Sequence, residues 1–133
     1  MALSIFVNLP VADLDASKAF YEALGFAINP QFTDENASCV VMSDTVYVML
    51  LTHPYFSTFT TKEIADARTT TEVQNAVGLE SREAVDAMLE KALAAGGTEP
   101  KEPQDYGFMY SRAVEDLDGH HWDFLWMDPS HVE

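Results

Sequence analysis

Val11-Ala12-Asp13-Leu14-Asp15-Ala16-Ser17-Lys18-Ala19-Phe20-Tyr21-Glu22-Ala23-Leu24-Gly25-Phe26 reads as a helix with both of its ends marked. Asp13 is an N-cap-type residue, because a short carboxylate there accepts from the first unpaired amides of a helix. Leu14, Ala16, Ala19, Phe20, Ala23 and Leu24 then recur at helical spacing. Phe20, Tyr21 and Leu24 share one stripe that can pack onto a sheet. Gly25 stands where the chain leaves the helix in a left-handed conformation, which glycine adopts without a Cβ penalty. Upstream, Ile5 to Val11 is apolar and β-prone apart from Asn8, and reads as a strand closing at Pro10. Downstream, Phe26 to Phe32 returns to an extended pattern and Asp34-Glu35-Asn36 reads as a turn. Ser38–Ser43 and Thr45–Leu51 are two β-rich runs, with a tight hairpin expected at Ser43-Asp44.

The same order returns in the second half. Glu72 to Leu79 is a candidate strand, and Ser81 caps a helix to about Ala95 with the stripe Ala84, Val85, Met88, Leu89, Ala92. Gly96-Gly97 ends it, and Gly96 stands 71 residues after Gly25. Pro100 and Pro103 mark a loop or an irregular edge strand. Phe108–Val114 is a strand, Asp116-Leu117-Asp118-Gly119 a turn, and His121–Met127 the last strand. Between the halves, Thr52–Thr71 reads as a connector with a short helix near Glu63–Ala67, and as a plausible contact or lid segment. The expectation is one α+β domain over residues 1–133, made of two βαβββ units, 1–52 and 72–128, joined by residues 53–71. Its mostly antiparallel sheet would curl around a cavity. The alternative is a plain α+β sandwich whose halves match by chance.

Composition narrows the partners. Lys and Arg total 7 against 22 Asp and Glu, a formal net charge of −15. Such a surface repels phosphate backbones and anionic headgroups, so neither nucleic acid nor a membrane is expected as a partner. An anionic substrate would need local help from a metal or one of the few basic side chains. Cys39 lies in an apolar run and reads as a buried structural thiol. The opening Met1-Ala2-Leu3-Ser4-Ile5-Phe6 lacks a basic region and reads as the approach to the first strand. No apolar stretch is long enough to span a membrane, so a cytoplasmic location is expected.

Residues 11–26 closely resemble the opening of the vicinal oxygen chelate superfamily, which includes glyoxalase I, bleomycin-resistance proteins and extradiol dioxygenases. Glu115-Asp116-Leu117-Asp118-Gly119-His120-His121-Trp122-Asp123-Phe124 resembles the superfamily's second signature, near the chain's end. With the matching element order, the resemblance covers nearly the whole chain. The nearest subgroup is that of bacterial proteins labelled as predicted lactoylglutathione lyases. The resemblance implies a glyoxalase-like fold, a small-molecule ligand in the cleft, and a homodimer.

It also implies where a divalent metal would sit, since metal-dependent members take one ligand from the first and one from the last strand of each unit. Asp123 falls on the final ligand position and keeps a carboxylate; it is the candidate metal ligand and catalytic base. The other three positions fall on Phe6, on Leu50 (or Met49 if the register slips by one) and near Val77. Apolar side chains cannot coordinate an ion, so the standard metal site is absent or rebuilt. Asn8, His53 and His121 are the donors available for rebuilding. On the last strand, His121, Asp123 and Leu125 share one side, while His120, Trp122, Phe124 and Trp126 share the other. His120 and His131 read as solvent-exposed. Tyr47 and Tyr110 each suit a structural or a ligand-binding role. Met42, Met49, Met109 and Met127 read as core filler, or as the wall of an adaptable pocket. Two functions stay open. One is a lyase-type enzyme, in which an ion polarises a carbonyl and a carboxylate moves a proton. The other is a metal-free protein that sequesters a small molecule, similar to the bleomycin-resistance members. Few basic residues are at hand to clamp the carboxylates of glutathione.

Overall fold

A computed structural model describes residues 3–130. Met1, Ala2 and the end of the tail with His131 lie outside the described residues. The elements run β1 (Ile5–Val11), α1 (Leu14–Ala23), β2 (Ala27–Asn29), β3 (Ala37–Val41), β4 (Val46–Thr52), α2 (His53–Phe56), β5 (Gln74–Gly78), α3 (Arg82–Ala94), β6 (Gln104–Asp105), β7 (Met109–Glu115) and β8 (His121–Met127). The chain divides into two compact units between Asp66 and Ala67. Each holds one four-stranded mixed sheet, in the order β1-β4-β3-β2 and β5-β8-β7-β6. In each, the first strand runs parallel to the last and the remaining pairs are antiparallel. A parallel partner needs a long crossover, and the helix after the first strand begins it. Both units are therefore βαβββ, and the fold class is α+β.

The helix ends form as their residues dictate. Asp13 Oδ1 accepts from the Ala16 amide at 3.1 Å, and Ser81 Oγ accepts from the Ala84 amide at 3.0 Å. Gly25 leaves α1 at φ +105°. α1 buries Leu14, Ser17, Phe20 and Tyr21, whereas α3 buries Val85, Leu89 and Ala92. Under α1 lie Val40, Val48 and Leu50, all fully buried; under α3 lie Val114, Trp122 and Phe124.

Local chemistry moves several boundaries. The hairpin between β3 and β4 has a four-residue loop, residues 42–45, in place of the tight turn. Ser43 Oγ accepts from the amides of Thr45 and Val46, which holds the wider loop. The extended run after α1 stops at Asn29, whose Oδ1 accepts from the Gln31 amide and starts a 3-10 turn over Pro30–Phe32. No helix forms at residues 63–67. Helical turns occupy His53–Phe56 and Ser57–Phe59 instead. Pro54 sits in the first turn, where its missing N–H would have had no partner. Among the described residues, no helix is long and apolar enough to cross a membrane.

In the second unit a charged layer ties α3 to the sheet. Arg112 spans Asp86 and Glu99, with nitrogen–oxygen distances of 2.9 Å to each. Tyr110 Oη donates to Asp86 at 2.6 Å. Arg82 grips both oxygens of Asp105 at 2.8 Å and lies over the rings of Tyr110 and Trp126, 5.1 and 5.2 Å from their centroids. The Arg82 hydrogen bonds, helped by the Gly107 amide, lower the Asp105 pKa to about 2.

Two expectations follow. Ser38 is fully buried and its Oγ has no hydrogen-bond partner. An unpaired buried hydroxyl is destabilising, so Ser38→Ala should raise the unfolding free energy by up to about 1 kcal/mol, read by urea denaturation; a loss of stability would contradict the packing. A carboxylate whose folded pKa lies below its unfolded value adds stability above about pH 4 that disappears as the pH falls towards about 2. Arg82→Gln should flatten the fall in stability across that window, measured by denaturation at stepped pH, and leave its slope above pH 5 unchanged.

Candidate functional site

Strand alternation gives the first sheet a second face, opposite α1. Asn8 pairs with Met49 on it, and Ala37 pairs with Leu51. These four floor a cavity of about 550 Å³. Phe32, Thr33 and Asp34 wall one side, from the turn after β2, and Tyr55, Phe56, Phe59 and Thr60 close over from the turns after β4. The wall is held by its own hydrogen bonds. Thr33 Oγ1 donates to the Asn29 carbonyl at 2.7 Å and accepts from the Cys39 amide at 3.2 Å. Asp34 Oδ1 accepts from the amides of Asn36 and Ala37 at 2.8 and 3.1 Å. Tyr55 and Phe59 meet edge to face at 5.2 Å, yet Phe59 stays 67% exposed and Phe32 62%. Those ring surfaces are available to a ligand. Cys39 is buried beside this floor, and burial pushes its thiol pKa up, so it is a poor nucleophile.

The corresponding face of the second sheet is polar at its centre. His121 Nε2 lies 3.0 Å from Asp123 Oδ1, with side-chain exposures of 10% and 16%. Ala76 is the β5 neighbour of Asp123, and Ala113 is its β7 neighbour. Asp123 therefore pairs with His121 and not with Arg112, which lies on the opposite face with Asp86 and Glu99.

The candidate residues thus separate by face. Asn8 lines the cavity, and His121 and Asp123 form one pair. Phe6 sits two residues along from Asn8, half-exposed and stacked on Tyr47 at 4.6 Å, outside the cavity lining. Three positions need correction. Leu50 is fully buried beneath α1, so the alternative register, Met49, is the one that faces the cavity. Val77 pairs with Phe124 on the helix side, and Ala76 takes the place beside Asp123. A one-residue shift along a strand exchanges its faces, which accounts for both. Tyr110 points to α3 and is tied to Asp86, a structural role. His53 opens α2 and is exposed.

On the four strands that supply ligands in metal-dependent members, the open faces thus carry Phe6 and Asn8 on β1, Met49 on β4, Ala76 on β5, and His121 and Asp123 on β8. Among the described residues, no three His, Cys, Asp or Glu side chains gather closely enough to hold a metal ion. These residues do not fit the four-ligand site that the superfamily's metal-dependent members imply. The rings of the cover were not among the candidate residues, although the segment that carries them, Thr52–Thr71, is offered by the sequence as a contact or lid segment. Their signal was present, because Tyr55, Phe56 and Phe59 are an unusual density of rings for a plain connector.

The Tyr110 assignment is testable. Its hydrogen bond lowers the Asp86 pKa, with Arg112 adding to the effect. Tyr110→Phe should cost about 1 kcal/mol of stability in urea, a modest loss because Asp86 is partly solvated. An unchanged midpoint would remove the structural role.

Residues 4–43 match the family model described as bleomycin resistance protein-like, N-terminal. A hypothetical protein from S. aureus of known structure is 32% identical, over 95% of this chain and 94% of that one, with a TM-score of 0.79. A glyoxalase/bleomycin resistance protein/dioxygenase family enzyme from Burkholderia phytofirmans shares the fold at 19% identity, over 95% and 99% of the two chains, with a TM-score of 0.80. The bleomycin resistance determinant encoded on transposon Tn5 does so at 21% identity, over 96% and 99%, with a TM-score of 0.63. No curated protein sequence matches the chain. The matched N-terminal segment, the repeated βαβββ units and these shared folds together support the vicinal oxygen chelate superfamily for this chain.

Proposed function

We propose that the chain binds a small, largely apolar molecule in the cavity of its first unit, without a metal, in the manner of the bleomycin-resistance members. One observation carries this reading: a cavity of about 550 Å³ floored by Met49 and Leu51 and covered by Tyr55, Phe56 and Phe59. That volume lies within the usual range for small-molecule sites, and apolar walls with a few placed polar groups are their usual construction. Met49 adds an adaptable surface. Asn8, Thr33 and Thr60 supply hydrogen-bonding groups that can fix a ligand's orientation.

A lyase-type enzyme is the second reading, favoured by the His121–Asp123 pair. A carboxylate on one imidazole nitrogen fixes the tautomer and turns the other towards a proton on a substrate. Asp123 would then position and His121 would act as the base.

The neutral fluorescent dye N-phenyl-1-naphthylamine separates the readings. Its emission should rise to saturation with one site per chain, and Phe59→Ala should weaken binding at least about fivefold. Absence of saturable binding, or indifference to Phe59→Ala, would reject the cavity as the site. Elemental analysis of protein purified without chelator should show substoichiometric Ni, Zn, Fe and Mn. A full equivalent of metal that Asp123→Ala removes would favour the enzyme instead.

A further inference from the structure

The charge pattern of the cavity narrows its occupant; this inference rests on the binding reading above. Among the residues lining it, Asp34 is the one charged side chain, and none is Lys, Arg or His. Residues 1–66 contain two Lys, Lys18 and Lys62, no Arg, and one His, His53, which is exposed and outside the cavity lining. Lys18 lies on α1 and pairs loosely with Asp15 at 3.9 Å. Lys62 follows the lining residue Thr60 by two positions and is itself followed by Glu63, and Asp34 is followed by Glu35. An anion entering here would lose water against apolar walls and meet no Lys, Arg or His among the lining residues, which is costly.

A cation meets the opposite conditions. The Asp34 carboxylate takes both amides of its turn on Oδ1, and its second oxygen has lone pairs to offer a donor. Phe32, Tyr55, Phe56 and Phe59 supply ring faces, and the negative face of an aromatic ring attracts a positive group. Rings and a carboxylate around one small volume are the components of an organic-cation site. The net charge of −15 adds a long-range field that raises the local concentration of any cation. We propose that the physiological occupant is an organic cation, an ammonium or quaternary amine carried on an apolar or aromatic body, with its charge set against Asp34 and the rings.

Displacement of the neutral dye from the full chain by three molecules of one shape tests this: 1-naphthylmethyltrimethylammonium, neutral 1-naphthylmethanol and anionic 1-naphthylacetate. The cation should compete at about a tenfold lower concentration than the alcohol, and the acetate should be weakest. Asp34→Asn keeps an Oδ1 for the turn and should reduce the cation's lead to less than twofold. Asp44→Asn removes the same charge from an exposed turn residue outside the cavity lining and should leave the lead intact. Phe59→Leu keeps an apolar side chain but removes a ring, and should cut the lead about threefold even if Asp34→Asn fails to fold. An alcohol as effective as the cation overturns the proposal and leaves dye binding standing. Equal losses in Asp34→Asn and Asp44→Asn also overturn it, by reducing the preference to the general field. A chain that binds no dye removes the binding reading itself, and this inference with it.

Discussion

The two-residue period of β4 and β8 is the constraint on which the rest of the molecule depends. Each is an inner strand of its sheet, flanked on both sides by hydrogen-bonded neighbours. One set of alternate side chains, Val48 with Leu50 and Trp122 with Phe124, is committed to a helix and almost wholly buried. The intervening residues are released from packing under that helix and can take on other work. The positions left open are therefore Met49 and its neighbours in one unit and His121 and Asp123 in the other. Moving either strand by one residue would expose the core and bury the site, so the helix contacts also hold the site in register.

The same backbone plan carries two different surfaces. In the first unit, the released face is covered by chain from the same unit: Tyr55, Phe56 and Phe59 arrive immediately after β4, from turns that Pro54 helps to start. An open space between rings and strands results. In the second unit, polar chemistry is divided between faces. Arg112, Asp86, Glu99 and Tyr110 satisfy one another on the helix side, leaving His121 and Asp123 to satisfy each other on the far side. Both units use one scaffold, and the side chains on its alternate positions distinguish them.

Much of this was legible in the residues. Asp13, Gly25, Ser81 and Gly96 marked the helix ends because capping and left-handed turns depend on local chemistry alone. The face of Asp123 was readable because β8 alternates: His121, Asp123 and Leu125 against Trp122, Phe124 and Trp126. The faces of β4 and β5 were not. Val46-Tyr47-Val48-Met49-Leu50-Leu51 is apolar throughout, and Gln74-Asn75-Ala76-Val77-Gly78 offers no strong contrast, so neither pattern states which side turns towards a helix. Leu50 and Val77 were each misplaced by one residue for that reason. Tyr110 could not be assigned because its partner, Asp86, lies 24 residues away on α3. The individual rings of the cover escaped for a related reason: aromatic rings in an irregular segment acquire a face only from tertiary contacts.

Exchange of donors for apolar groups has a consequence for what remains. Four converging donors would need an ion to offset their mutual repulsion and loss of water. With Met49 at the β4 position, that demand disappears from the first unit, and its face is free to be apolar. Asp123 is left as a largely covered carboxylate that still requires a hydrogen-bond donor. His121, two residues along the same face, supplies it at 3.0 Å. The imidazole thus stands against the carboxylate where the family's metal-dependent members would use an ion.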